Sequence, residues 1–397
     1  MMQCTLTTPT AATKIIDVRF LAALTLLAPL ALLLAACSTP APAPDAAPAP
    51  QRDNAGAARS FRLGFSALPP TLSDEGYNAA FDLAARYGDV LLIQRAPAWA
   101  DFLPGATPST KLRTTTAAER DAVRARGLQL FIALDPFDPA ARERLASPPR
   151  GYEDRTLADP ALRQAFVTEA KYLALNHQPA YFALGTEINA TFERDPAQYQ
   201  RFLAAYQEAY AAVKSVSPRT QVFVTFQYEQ LLGVIPWDPP HAPRWELLRD
   251  FEGRLDLLAL TSYPSFAYAV ARKVPADYYR QARSHTTLPI AFASVGYAST
   301  PGRDGLNSST AAEQRRFLQR LLQDADELAT PLLVWFAGRD ADYLSAPPND
   351  LIAAIGLRAA DGQPKEAWPL WEEAARRPYD PAITAQRPPA APVSTRP

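Results

Sequence analysis

The stretch Tyr181-Phe182-Ala183-Leu184-Gly185-Thr186-Glu187-Ile188-Asn189 decides the fold. Four apolar residues follow one another without alternation, then stop at a glycine, a hydroxyl and a carboxylate. A strand buried on both faces reads this way, as a continuous apolar run. The polar residues after it belong to a strand end that meets water. Helical signals flank the stretch. Asp159-Pro160 upstream and Asp195-Pro196 downstream each read as an N-cap followed by proline at the first helical position. An apolar run between two helices is the repeat of a parallel α/β fold.

Working outward, the same unit recurs. Apolar runs occupy residues 62–66, 90–94, 128–134, 181–186, 221–226, 255–261, 289–293 and 332–336, each bounded by turn residues. Between the first two, Tyr77, Ala80, Phe81, Ala84 and Tyr87 repeat at helical spacing, and Gly88 closes that helix. Thr116 with Glu119 and Thr310 with Glu313 predict capping boxes. The aromatic residues within 199–210 recur at helical spacing and belong to the core. A short helix is expected around Trp245–Phe251. Runs in this number, each followed by a crossover, predict an α/β protein whose one domain, residues 61–379, is a (β/α)₈ TIM barrel.

Composition removes several classes of function. Lys and Arg total 40 against 41 Asp and Glu, a formal net charge of -1. That leaves no electrostatic case for nucleic acid or for an anionic membrane surface. The only cysteines are Cys4 and Cys37 and the only histidines His177, His241 and His285, so no Cys/His zinc site can be assembled. No glycine-rich loop follows a strand to cradle phosphate. Neither a cofactor nor a metal is expected.

The N-terminus reads as targeting rather than structure. Lys14 and Arg19 precede an apolar run over residues 20–36, which is short for a spanning helix. The run ends Leu34-Ala35-Ala36-Cys37, which resembles the lipobox of bacterial lipoproteins. The resemblance implies a signal peptide over residues 1–36 and lipid on Cys37, a membrane partner reached through that anchor. With Ser38 next, it implies a cell-envelope location outside the cytoplasm, at the outer membrane of a cell that has one. Residues 37–60 are rich in Ala and Pro, a tether that lets the body stand off the membrane. Residues 380–397 form a similar disordered tail.

In a barrel of this kind the site lies at the C-terminal ends of the strands. The residues there are Arg95 and Trp99 after the second run, Asp135 after the third, and Thr186, Glu187 and Asn189 after the fourth. Gln227 and Glu229 follow the fifth, Tyr263 the sixth, Ser294 and Tyr297 the seventh, Trp335 and Asp340 the eighth. Arg95 is expected to pair with Asp135 across adjacent strand ends. Carboxylates, amides and aromatic faces in one ring suit a carbohydrate partner, because rings stack on pyranoses while carboxylates and amides bind hydroxyls.

Four motifs carry a family resemblance: Ala183 to Asn189, Leu260-Thr261-Ser262-Tyr263-Pro264, Pro289 to Tyr297, and Asp361-Gly362-Gln363-Pro364-Lys365 before Trp368. Together they resemble the clan A glycoside hydrolases, most of all the endo-β-1,4-galactanase type. The resemblance implies that Glu187 stands at the general acid/base position and Ser294 at that of the nucleophile. It also implies that Tyr263 is the tyrosine beside the nucleophile and Trp335 the aromatic floor of the sugar subsite. Two departures accompany it. Thr186 replaces the asparagine before the acid/base, and Ser294 replaces the nucleophilic glutamate. No Asp or Glu lies between Asp277 and Arg303, so no neighbouring carboxylate takes over. Retaining hydrolysis needs two carboxyl groups about 5–5.5 Å apart. Three functions therefore stand open: a saccharide binder that no longer cleaves, a hydrolase using Glu229, Asp135 or Asp340 as its second carboxylate, or a structural, protein-binding lipoprotein.

Overall fold

In a computed structural model, which describes residues 55–302, 306–344 and 350–385, the apolar runs form one parallel sheet. Its strands are β1 (Arg62–Ser66), β2 (Val90–Arg95), β3 (Gln129–Leu134), β4 (Tyr181–Leu184), β5 (Gln221–Phe223), β6 (Thr225–Gln227), β7 (Leu258–Ser262), β8 (Ile290–Val295) and β9 (Leu332–Trp335). Each expected run is one stave, with one difference. The fifth is divided at Val224 into β5 and β6. The sheet order is β5-β4-β3-β2-β1-β9-β8-β7-β6, so β5 pairs with β4 while β6 pairs with β7. The two ends of the sheet are thus consecutive pieces of the same stave. One stave changing partner halfway along accommodates the stagger that closing a barrel demands.

The helices cover the staves on one side more fully than on the other. Helices α1 (Asp74–Tyr87), α2 (Trp99–Phe102), α3 (Thr110–Ala125), α4 (Pro160–His177), α5 (Ile188–Arg194) and α6 (Pro196–Val216) fall between β1 and β5. Helix α7 (Tyr228–Leu231) is a single turn after β6. Helices α8 (Ala311–Leu328), α9 (Asp350–Ala353), α10 (Trp368–Arg376) and α11 (Ala382–Ala385) complete the chain. The crossovers flanking β7 carry short 3₁₀ segments, including Trp245–Phe251 and Arg280–His285, where α-helices would normally lie.

Most of the expected helix ends are in place. The Asp159 and Asp195 side chains accept from the first-turn N–H groups of α4 and α6, and Thr310 accepts from Glu313 N. Thr116 and Glu119 do not form a capping box. Helix α3 begins earlier, capped by Ser109, and the Thr116 hydroxyl bonds back to Leu112 O inside the helix. Capping-box spacing also occurs mid-helix, where a buried threonine satisfies itself on the preceding turn.

The two ends of the body meet beneath the barrel. Arg59 bridges to Tyr379, and Arg377 donates to the carbonyls of Ala57 and Ala58. The tail expected from residue 380 opens with the helical turn α11; its remainder, 386–397, lies outside the described residues, as do the signal peptide, Cys37 and residues 37–54 of the tether. The tether's expected end at residue 60 is too late: Arg59 and Ser60 are buried in the body, with Arg59 paired to Asp89 and Ser60 Oγ donating to Thr330 O. Among the described residues no helix is long and apolar enough to cross a membrane.

Candidate functional site

The end of β4 sets the geometry. Gly185 has φ +114, and a Cβ there would stand 2.7 Å from the Phe202 ring, so only glycine makes this bend. Two residues on, Glu187 itself sits at φ 48, in the left-handed region that costs a non-glycine residue energy. The sharp turn lifts the Glu187 carboxyl off the strand and into the barrel mouth. Its backbone N–H donates to Thr225 Oγ1 at 2.8 Å, and Thr261 Oγ1 donates to its Oε1 at 2.8 Å.

Glu187, Ser294, Tyr263, Asp135, Thr186 and Arg95 line one cavity at the C-terminal ends of the staves. The cavity holds about 70 Å³, room for about two waters at liquid density. Phe131 lines it, packed edge-on to Tyr181 and Phe223. A second chamber shares Pro139, Arg142, Glu187 and Tyr263 with the first and extends to Gln227 and Trp237. A third shares Leu92, Gln94, Arg95 and Ala96 with the first, on the opposite side.

Ser294 is 5% exposed, and its hydroxyl lies 2.8 Å from the Tyr263 hydroxyl. The register between β7 and β8 shifts just before it, which turns Ser294 toward the mouth. Burial raises the pKa of Glu187 to about 6, with nearby Asp135 and Glu229 adding to the rise and Thr261 and Arg142 opposing it. A carboxyl so placed can hold a proton near neutrality. Burial likewise pushes the Tyr263 phenol well above its ordinary value, so it stays a hydrogen-bond donor.

Folding that raises a carboxyl pKa favours the protonated form. The stability this contributes is full below Glu187's unfolded value and is lost as pH rises through about 6. Glu187→Gln removes the ionised carboxylate and retains an acceptor for Thr261. The variant is therefore expected to be more stable than the parent at pH 7 by up to ~2 kcal/mol, with the difference vanishing at acid pH. Denaturant melts across that range decide it, and equal stability at both ends would overturn the electrostatic account.

The other expected site residues divide. Asp135 reaches the cavity but is not paired with Arg95. Arg142 donates to Asp135 at 2.6 Å and also to Thr186 O, while Arg95 pairs with Glu119. The Thr186 hydroxyl donates to Asp135 as well. Gln227 reaches the second chamber, but its amide is already committed to Glu229 and to Gln230 N.

Six expected site residues do not line these chambers. Trp99 is 2% exposed and donates to Ala146 O, packed near Phe166. Asn189 is locked to the Gln227 backbone through both its amide atoms. Tyr297 packs on Phe317, and Trp335 donates to Ile355 O; both are wholly buried. Phe336, the residue after Trp335, lines the cavity in its place. Glu229 is 0% exposed and accepts from Gln227 Nε2, Ser262 Oγ, Tyr263 N and Tyr278 OH. Asp340 is paired with Lys365 and also accepts from Gly356 N.

Sequence reading missed Arg142, because the β3–α4 loop that carries it has no periodicity to align it with a strand end. It also missed Thr225 and Thr261 as partners of Glu187, since both sit within apolar runs. Among the described residues no group of His, Cys, Asp and Glu is arranged to hold a metal ion.

No family model matches the chain, and no curated protein matches it by sequence. Its fold is shared with solved glycoside hydrolases. The exo-β-1,4-mannosidase Op5Man5 from Opitutaceae bacterium strain TAV5 superposes with a TM-score of 0.58 at 19% identity, over 84% of this chain and 61% of that one. GH5_18 from Streptomyces cattleya, solved in complex with GlcNAc, superposes with a TM-score of 0.58 at 19% identity, over 85% of this chain and 83% of that one. A family 39 glycoside hydrolase from the gut symbiont Bacteroides cellulosilyticus WH2 gives 0.53 at 18%, over 80% and 64%. The chain therefore spans less than two thirds of the mannosidase and of the family 39 enzyme. The barrel expected from the sequence is the barrel these clan A enzymes share.

Proposed function

We propose that the protein is a glycoside-hydrolase-like lipoprotein that binds an oligosaccharide or polysaccharide at the barrel mouth without cleaving it by the two-carboxylate route. The observation that carries this reading is the pairing of Ser294 with Tyr263 in the cavity that Glu187 lines. The motif resemblance assigns Ser294 to the position of the clan's nucleophile, and a hydroxyl cannot stabilise an oxocarbenium-like centre as a carboxylate does. Glu187, Asp135 and Arg142 then serve as hydrogen-bond partners for sugar hydroxyls. The motifs are nearest the galactanase type, and the neighbours crystallised with GlcNAc or Manβ1-4GlcNAc support a β-linked saccharide as ligand. The lipobox at Cys37 supports anchorage at the cell envelope.

A second reading has one observation in its favour. Asp135 lines the same cavity as Glu187, whereas Glu229 and Asp340 do not. A hydrolase using Glu187 as acid, with its raised pKa, would need Asp135 as its base. Binding and turnover of β-1,4-galactan, β-1,4-mannan and their oligosaccharides separate the readings. The binder shows affinity that survives Glu187→Gln and no turnover in the parent. The hydrolase shows turnover that both Glu187→Gln and Asp135→Asn abolish. Absence of saccharide affinity across the set sinks both and leaves a protein-binding body.

A further inference from the structure

The mouth is unequal on its two sides. Beyond Glu187 the second chamber holds about 60 Å³, about two waters and less than one pyranose ring. Its polar groups are spent on one another. Arg194 donates to Asp238 at 2.8 Å, Gln230 Nε2 donates to the same carboxyl at 3.1 Å, and the Gln227 amide is committed to Glu229 and Gln230 N. Phe266 stacks on Tyr263 and packs tilted against Trp237.

The third chamber is a groove of about 640 Å³, room for about twenty waters and within the range of small-molecule sites. Helices α1 and α3 form its walls. Tyr77 and Phe81 lie one turn apart on α1, and Lys111, Thr115 and Glu119 are spaced by four on α3, so each set shares one helix face. Gln94, at the end of β2, lines both this groove and the cavity that Glu187 lines, so the two meet there.

The polar groups of the groove are open to a ligand. Among the described residues the Gln94 amide and the Tyr77 and Thr115 hydroxyls have no hydrogen-bond partner, and none of the three residues is fully buried. Burial, with nearby Glu119, raises the Tyr77 phenol above its ordinary value, so it stays a donor. The charges balance. Arg95 is paired with Glu119, Asp101 accepts from Ser109 N, and Lys111 is exposed at the rim. Two cations against two anions favour an uncharged ligand, and donors and acceptors beside an aromatic ring suit a sugar.

Given a saccharide at the mouth, as proposed above, we infer that the protein reads the end of a neutral saccharide chain. Hydroxyls of the terminal unit reach past Gln94 toward Glu187, and roughly two or three following units lie in the groove against Tyr77 and Leu112. A chain continuing the other way would have to enter the second chamber, which has neither the room nor the free hydrogen-bonding groups.

The probes are β-1,4-linked manno- and galacto-oligosaccharides of increasing length, with the polymers, titrated against the whole protein by calorimetry. Affinity is expected to rise at least ~10-fold from the monosaccharide to the tetrasaccharide and then to level off. A polymer of known length is expected to take up one protein per chain. Thr115→Trp, which fills the groove from an exposed position, is expected to weaken the tetrasaccharide by roughly tenfold and to leave the monosaccharide unchanged. Tyr77→Ala is expected to do the same, and Tyr77→Phe, which keeps the ring in this half-buried position, to retain most of the affinity. Affinity that is independent of length, or that Thr115→Trp and Tyr77→Ala both leave intact, overturns end recognition while the binder at the mouth stands. Several proteins bound along one polymer chain do so too. No affinity for any member of the set overturns the saccharide reading and end recognition with it.

Discussion

Ser294→Glu is expected to confer glycoside hydrolysis on the barrel, raising turnover of an aryl β-glycoside by at least ~10³-fold, equivalent to about 4 kcal/mol of barrier. The expectation follows from what already surrounds position 294. Its hydroxyl touches the Tyr263 hydroxyl, which stays protonated and would donate to the new carboxylate. Glu187 lines the same cavity with a pKa near 6, so it can carry the proton that a leaving oxygen needs. The cavity has space for the three additional heavy atoms in place of water. A carboxylate there supplies the second group that retaining hydrolysis requires. The control is Ser294→Glu combined with Glu187→Gln, which should return activity to the parent level. If Ser294→Glu stays inert on aryl glucosides, galactosides and mannosides while remaining folded, the mouth is not a relict glycosidase centre.

Glu229→Ala is expected to cost at least about 3–5 kcal/mol of folding stability, a large share of what a domain possesses. Glu229 is wholly buried, and burial raises its pKa while Ser262, the Tyr263 N–H and Tyr278 pull it back. The carboxylate accepts from four donors contributed by β6, the end of β7 and the crossover after it. Truncation leaves those donors buried without an acceptor, and each such loss is costly. The same carboxylate fixes the backbone of Tyr263, so saccharide binding at the mouth should weaken in any Glu229→Ala protein that still folds. Urea unfolding measures the effect. A loss below about 1 kcal/mol would mean that water or a rearranged hydroxyl satisfies the donors.

These two residues show where sequence reading stopped. Both were picked out as polar groups after apolar runs, and both are such. Glu229 was open as a second catalytic carboxylate, yet the turn α7 folds it inward among its own donors. Trp335, Tyr297 and Asn189 follow the same pattern. A strand alternates its side chains between faces, so a shift of one position moves an aromatic ring from the mouth to the shell behind the staves. Phe336 lines the cavity where Trp335 was expected for that reason. Arg95 turned to Glu119 on α3 and left Asp135 to Arg142, a choice set by loop packing.

By itself the sequence determined the barrel. Continuous apolar runs, separated by capped helices, have one economical way to bury both faces of every strand. It also determined that a glutamate and a serine occupy the ends of the fourth and seventh staves, because those motifs are local. The tertiary structure alone decided which strand-end groups share the mouth and how Val224 divides the stave that joins the two ends of the sheet. Those outcomes depend on side-chain direction and on loops without periodicity, and neither is written in the spacing of residues along one segment.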